Sequence, residues 1–186
     1  PDCNVAEAVR LAGTHWRLTP LHLGFGTGGR CVPLGTEYLL RGALGNSLHL
    51  AQSASEWDDW QREYIARLAA RYAHTVLVLG IAYRPDFRDA GRSPGIAVAR
   101  AMRRHEVEVR IHDPLWTVPD LEQFGVPVAE SIVPSAYDAV LLATPHRVYL
   151  DLPARANWRP GQFVLDAQGT WTNYREIFKE VGVDYR

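Results

Sequence analysis

Residues Thr75 to Ile81 read TVLVLGI, a nearly unbroken apolar run rich in β-branched residues and of strand length. Such a run fits a strand buried on both faces, as in a parallel sheet covered by helices. A helix is expected from Ser93 to Arg104, with Ser93 as the N-cap and Pro94 at the first helical position. Further strands follow. Val107 to His112 (VEVRIH) closes on Asp113-Pro114, and Asp138 to Ala143 (DAVLLA) and Gln162 to Asp166 (QFVLD) repeat the apolar signal. Asn173 to Glu180 reads as a helix. Strands alternating with helices predict an α/β class, a Rossmann-like parallel sheet domain over residues 74–186.

Upstream the pattern is helical, so residues 1–73 are expected to form a helical arm leading into that domain. Asn4 to Ala12 has an N-cap candidate in Asn4 and a stop in Gly13. Thr36 to Leu50 carries a mixed apolar pattern consistent with a helix. Ser55 is placed to cap a long run from Glu56 to Ala73. There Trp57, Trp60, Tyr64, Ile65 and Leu68 recur at three- and four-residue spacings, predicting one apolar stripe that is core or a subunit interface.

Composition narrows the function. The 186 residues are 47% hydrophobic and 22% charged, enough to bury a real core and unlike a disordered or low-complexity chain. A net charge of −1 argues against a nucleic-acid partner. No apolar run reaches the roughly 18 residues of a membrane span, and no stretch reads as a signal peptide. The two cysteines, Cys3 and Cys31, cannot build a disulfide scaffold, which suits a reducing cytoplasm. The seven histidines show no metal-ligand spacing, so no metal is expected. The 20 basic residues are 19 arginines and the single Lys179.

The chemistry-bearing stretch is Leu23 to Tyr38, LGFGTGGRCVPLGTEY. As a dinucleotide fingerprint it lacks a preceding strand, and Pro33 comes too soon for a smooth helix start. Its glycines can let backbone approach a ligand closely. Cys31, expected just before a helix that begins near Thr36 and next to Arg30, is either an activated nucleophile or an inert buried thiol. His146 follows a strand at the end where ligands gather in open sheets, and is a ligand contact or a loop histidine. Asp113, followed by Pro114, reads as a turn former. Arg100, Arg103 and Arg104 read as a solvated helix face.

The segment Gly24-Phe25-Gly26-Thr27-Gly28-Gly29-Arg30-Cys31-Val32-Pro33 resembles the active-site loop of the UDP-glucose/GDP-mannose dehydrogenase family, whose pattern is Gly-Gly-x-Cys-x-Pro-x-Asp. Val78 to Pro94 (VLGIAYRPDFRDAGRSP) resembles the strand-loop-helix that opens the family's nucleotide-sugar-binding domain. The segments ending at Pro114 and running from Asp138 to His146 are similar as well. The resemblance spans the chain and matches the C-terminal half to two-fifths of such an enzyme. It implies oxidation of a nucleotide sugar's C6 alcohol to a uronate, with Cys31 attacking an aldehyde intermediate. It implies substrate contacts at Phe25, Gly26, Gly28, Gly29, Tyr83 and Arg84, a cofactor contact at Arg92, and NAD held mainly by a domain without a counterpart here. A homodimer through the central helices is implied too, with residues 1–73 the end of the central domain.

The sequence also departs from the family pattern. Gly35 stands where the family has Asp, and Lys179 lies too far along the chain to be the family's catalytic lysine. Gly91 replaces an Arg, with Arg92 beside it, and Gln168 stands where a basic residue is common. The chain is therefore expected to be inactive alone. The alternative expectation is a degenerate, non-catalytic binding or dimerisation module.

Overall fold

The computed structural model describes residues 5–18, 23–43 and 48–186. Asn4, offered as a helix cap, lies outside them. Among the described residues the helices are α1 (Val5–Ala12), α2 (Cys31–Gly42), α3 (His49–Tyr72), α4 (Pro94–Arg104), α5 (Val118–Glu122), α6 (Leu152–Arg155) and α7 (Arg175–Val181). The strands are β1 (Thr75–Leu79), β2 (Glu108–His112), β3 (Ala139–Leu142), β4 (Phe163–Asp166) and β5 (Asp184–Tyr185). None of the described helices is long and apolar enough to cross a membrane.

All five strands are parallel, in the order β2-β1-β3-β4-β5. Strand alternation sorts side chains onto two cores. Val76, Val78, Ala139, Leu141 and Phe163 face the side covered by α3, α4 and α5. Leu77, Leu79, Val140, Leu142 and Val164 face the side filled by Tyr149, Trp171 and Phe178. The doubly covered α/β sheet predicted from TVLVLGI is thus present, and four of its strands fall where the apolar runs place them. The two-residue β5 carries too little sequence to signal itself.

Helix α4 starts as its sequence dictates: Ser93 Oγ accepts the Ile96 N–H at 3.1 Å, and Pro94 opens the helix. The arm differs from expectation. Helix α2 begins at Cys31 rather than near Thr36 and ends at Gly42. Pro33 is tolerated there because first-turn N–H groups have no intrahelical acceptor. Ser55 is interior to α3, which begins at His49 because no breaker separates residues 49–55 from the apolar run behind them. Asn173 falls in a short 3₁₀ turn that precedes α7.

The predicted single stripe on α3 splits in two. Ile65, Ala66 and Ala69 are buried against the sheet domain, packing along α4, with Leu68 half-buried beside them. Trp57, Trp60 and Tyr64 lie on an adjacent face, 65%, 44% and 48% exposed, and stack on one another with centroids 4.6 and 5.1 Å apart. A spacing of three or four residues admits a drift around the helix, and at about 100° per residue the two sets diverge by well over a quarter turn.

Candidate active-site loop

In an open parallel sheet the natural ligand crevice lies beyond the carboxyl ends of the strands, where the winding reverses. Here that point is between β1 and β3. Gly80 ends β1 at φ +87°, and a Cβ on it would meet Thr144, after β3, at 2.5 Å. The chain crosses there on bare backbone and continues as a long loop, residues 80–93.

That loop is pinned from below by two residues seen in the sequence. Asp113 is 2% exposed; its Oδ2 accepts the N–H groups of Ile81 at 2.7 Å and Ala82 at 3.2 Å. Its Oδ1 accepts the Leu115 N–H at 2.9 Å, the turn role expected of it. His146 is fully buried, its Nδ1 accepting the Asp86 N–H at 2.9 Å. Its Nε2 then carries the proton and donates to Asp113 Oδ2 at 2.9 Å. His146 is therefore a loop anchor, with both ring nitrogens engaged by protein. Tyr149 donates to His112 O at 3.0 Å, and burial drives its phenol far above the ordinary range. Burial also lowers the His112 pKa, because it disfavours the charged ring.

The glycine loop, residues 24–30, lies across this structure. Gly29 N–H donates to Gly91 O at 2.9 Å. A Cβ on Gly28 would meet Pro94 Cδ at 2.7 Å and Tyr83 Cβ at 2.8 Å, and one on Gly29 would meet the Tyr83 ring at 3.2 Å. These glycines serve the close packing of two protein segments. Arg30 lies 3.9 Å from Asp89. Arg84 is exposed, its guanidinium 3.9 Å from the Phe87 centroid and 5.7 Å from that of Tyr83.

Cys31 is the first residue of α2 and is exposed, not buried as one of the two expectations had it. The Phe25 ring is 1% exposed and belongs to the core, so its side chain is not open to a ligand. Gly26 has φ +124° and no room for a Cβ beside Arg62 and Asp58. Beyond Cys31, Val32 and Pro33 line a cleft of about 670 Å³ between α2, α3 and α4. Arg92, at φ 45°, lines it too and pairs with Glu37 of α2, which also pairs with Arg41 at 2.6 Å. Gly35 has open space around it. Lys179 lies on α7, exposed.

Sequence inspection missed the side chains that hold the glycine loop from the arm. Asp58, Gln61 and Arg62 share one face of α3 and bond Gly24 and Thr27, 31 to 37 residues away. Only their i, i+3, i+4 spacing was visible, and it has no local signature that distinguishes it from a solvated face.

At the start of α4, Ser93 Oγ takes the Ile96 N–H, and Gly95 lies so close to the end of β1 that a Cβ on it would sit 2.6 Å from Gly80 O.

A parallel α/β sheet with a long loop beyond the carboxyl end of β1 and a cysteine-bearing glycine loop packed against it defines a Rossmann-like protein. A family model for the UDP-glucose/GDP-mannose dehydrogenase family, UDP binding domain, matches residues 77–173, and the chain belongs to that family. A UDP-N-acetyl-D-mannosamine dehydrogenase of Methanococcus aeolicus is 27% identical over 197 residues, spanning 100% of this chain and 43% of its own length. A protein of the same name from Pyrococcus horikoshii is 30% identical over 77% of this chain and 34% of its own. The solved UDP-glucose dehydrogenase of Pyrobaculum islandicum superposes with a TM-score of 0.76 at 22% identity, over 97% of this chain and 42% of its own. The chain thus spans less than half the length of these proteins.

Proposed function

We propose that this chain supplies the nucleotide-sugar site and the nucleophile of an NAD-dependent dehydrogenase that oxidises the C6 alcohol of a UDP- or GDP-sugar to a uronate. The observation that carries this reading is the seam between the two loops. The Gly29–Gly91 hydrogen bond and the packing of Gly28 and Gly29 on Tyr83 bring the Cys31 loop against the loop that bears Arg84. A sugar bound at Tyr83 and Arg84, with backbone of Gly26, Gly28 and Gly29 along it, would thereby lie near Cys31. Arg84 offers a planar donor set suited to a phosphate or sugar hydroxyl.

Cys31 acts on the aldehyde stage. Its sulfur bonds to the carbonyl carbon, and the carbonyl oxygen takes up a proton. After oxidation to the acyl level, water adds to that carbon, the C–S bond breaks, and the carboxylate leaves as the thiol is restored. The oxidation requires NAD, which we assign to elements outside the described residues, with Arg92 as this chain's contact to it. Residues 1–73 are the end of the central helical domain and 74–186 the nucleotide-sugar domain. The Trp57–Trp60–Tyr64 stack, with Tyr38 and Leu39 of α2 exposed at 71% and 56%, supports a homodimer built on the central helices. An exposed Cys31 suits a reducing cytoplasm.

Titration calorimetry with UDP- and GDP-sugars tests the reading. One of them should bind, Arg84→Ala should weaken binding by about tenfold or more, and Cys31→Ser should leave it unchanged. Absence of binding by all of them would overturn it. A second reading, a non-catalytic binding or dimerisation module, is favoured by the unfilled space at Gly35 and the distant Lys179. It predicts the same binding but no covalent product on Cys31.

A further inference from the structure

The peptide groups of the glycine loop have no strand or helix to bond with, so their partners decide its shape. Two polar groups of Thr27 are held by a closed ring. Thr27 N–H donates to Asp58 Oδ1 at 2.6 Å, Arg62 pairs with Asp58 Oδ2, and Arg62 Nη2 donates back to Thr27 O at 3.0 Å. Gln61 Nε2 adds a bond to Gly24 O at 3.2 Å. The Asp58 and Arg62 side chains are only 21% and 18% exposed, so the charge-assisted bonds are partly shielded from water. Asp59 Oδ1 at 2.8 Å from Arg62 Nη1 completes the acidic partners of the guanidinium. Arg62 Nε is buried without a partner and rests against Gly26, whose missing Cβ would lie 2.8 Å from it. Helix α2, in turn, has no buried residue to fix where it starts. Its first residue, Cys31, follows directly on that loop, while Glu37 ties the body of the helix to Arg92.

We propose that Asp58 and Arg62 are positioning residues for Cys31: their ring around Thr27 holds the loop in the conformation that packs Gly28 and Gly29 on Tyr83 and so sets where Cys31 begins α2. The proposal rests on Cys31 being the nucleophile. Both act through the loop, although they also line the cleft between α2, α3 and α4, and neither belongs to the sheet core.

The test uses the full chain in a Cys3→Ser background, with a trifluoromethyl thiol label on Cys31 read by fluorine NMR. The parent should give one narrow line. Asp58→Ala should split that line or broaden it by about twofold or more, through exchange among loop conformers. Asp58→Asn keeps an acceptor for Thr27 N–H and should restore the narrow line. Asp58→Ala strands the Arg62 charge. If it fails to fold, the double variant Asp58→Ala/Arg62→Met decides, since it removes both ends of the ring and leaves no unpaired guanidinium. Its line should split or broaden in the same way. An unchanged narrow line in whichever of these folds with the parent's melting temperature would overturn the proposal. Because the readout needs neither substrate nor turnover, it fails separately from the nucleotide-sugar reading, which falls on the calorimetry.

Discussion

The sheet and the glycine loop satisfy their backbones in opposite ways. In the sheet, each residue of β1 and β3 meets a partner in register on a neighbouring strand, and both faces are sealed by apolar side chains. In the glycine loop, Thr27 and Gly24 depend on Asp58, Gln61 and Arg62, and Gly29 depends on Gly91. The first arrangement is redundant and tolerates the loss of any one polar contact. The second is a short list of specific bonds, and it is the one that sets the Cys31 sulfur. Stability is concentrated in one region, and precision in the other.

Substitutions should separate the two regions, starting with the largest effect. Trp171 is fully buried and donates its indole N–H to Tyr149 O at 2.9 Å. Trp171→Ala should cost about 3–5 kcal/mol of unfolding free energy, read as a drop in the denaturant midpoint. Gly28→Ala drives a Cβ into Pro94 and Tyr83, which are fixed, and should cost about 1–3 kcal/mol. Its signature is weakened nucleotide-sugar binding while the sheet's circular dichroism is retained.

Asp138 is the sheet's own long-range carboxylate, joining the start of β1 to β3. Burial opposes its ionisation. The N–H groups of Thr75 and His74, the Thr75 hydroxyl and Arg159 outweigh that and hold it at about 2 against an ordinary 3.8. A depressed pKa means the stabilisation is complete above about pH 4 and is lost as pH falls through 2. Relative to Asp138→Asn, the parent should lose about 1–2 kcal/mol between pH 5 and roughly pH 2 in denaturant titrations. The smallest effect on the fold belongs to Trp57→Ser, which should change stability by less than about 0.5 kcal/mol. Sedimentation should nonetheless show a homodimer shifted toward monomer, and an unaltered sedimentation profile would remove Trp57 from that interface.

The difference between the regions also governs what the sequence discloses. Parallel strands buried on both faces write themselves as apolar runs, so β1, β2, β3 and β4 were legible to within a residue or two, as was the Ser93-Pro94 start of α4. Helix α3 announced its length but not its beginning, because nothing in HLAQSAS interrupts a helix. Its aromatic residues announced their spacing but not that they diverge from the buried face. In the site, Cys31 and its glycines were legible as a motif. The buried role of Phe25 was not, nor was the hub of Asp113 and His146, nor the ring of Asp58 and Arg62. Each of those depends on partners 31 or more residues away, and single side chains of that kind leave no periodic trace.

Peptide mass spectrometry of Cys31 tests the central claim most directly. The chain would be incubated with a UDP- or GDP-sugar, NAD and a separately supplied NAD-binding domain, then quenched in acid. The account predicts a sugar-derived acyl adduct on the peptide that carries Cys31, lost in Cys31→Ser. A bound nucleotide sugar with no adduct on that peptide would contradict it.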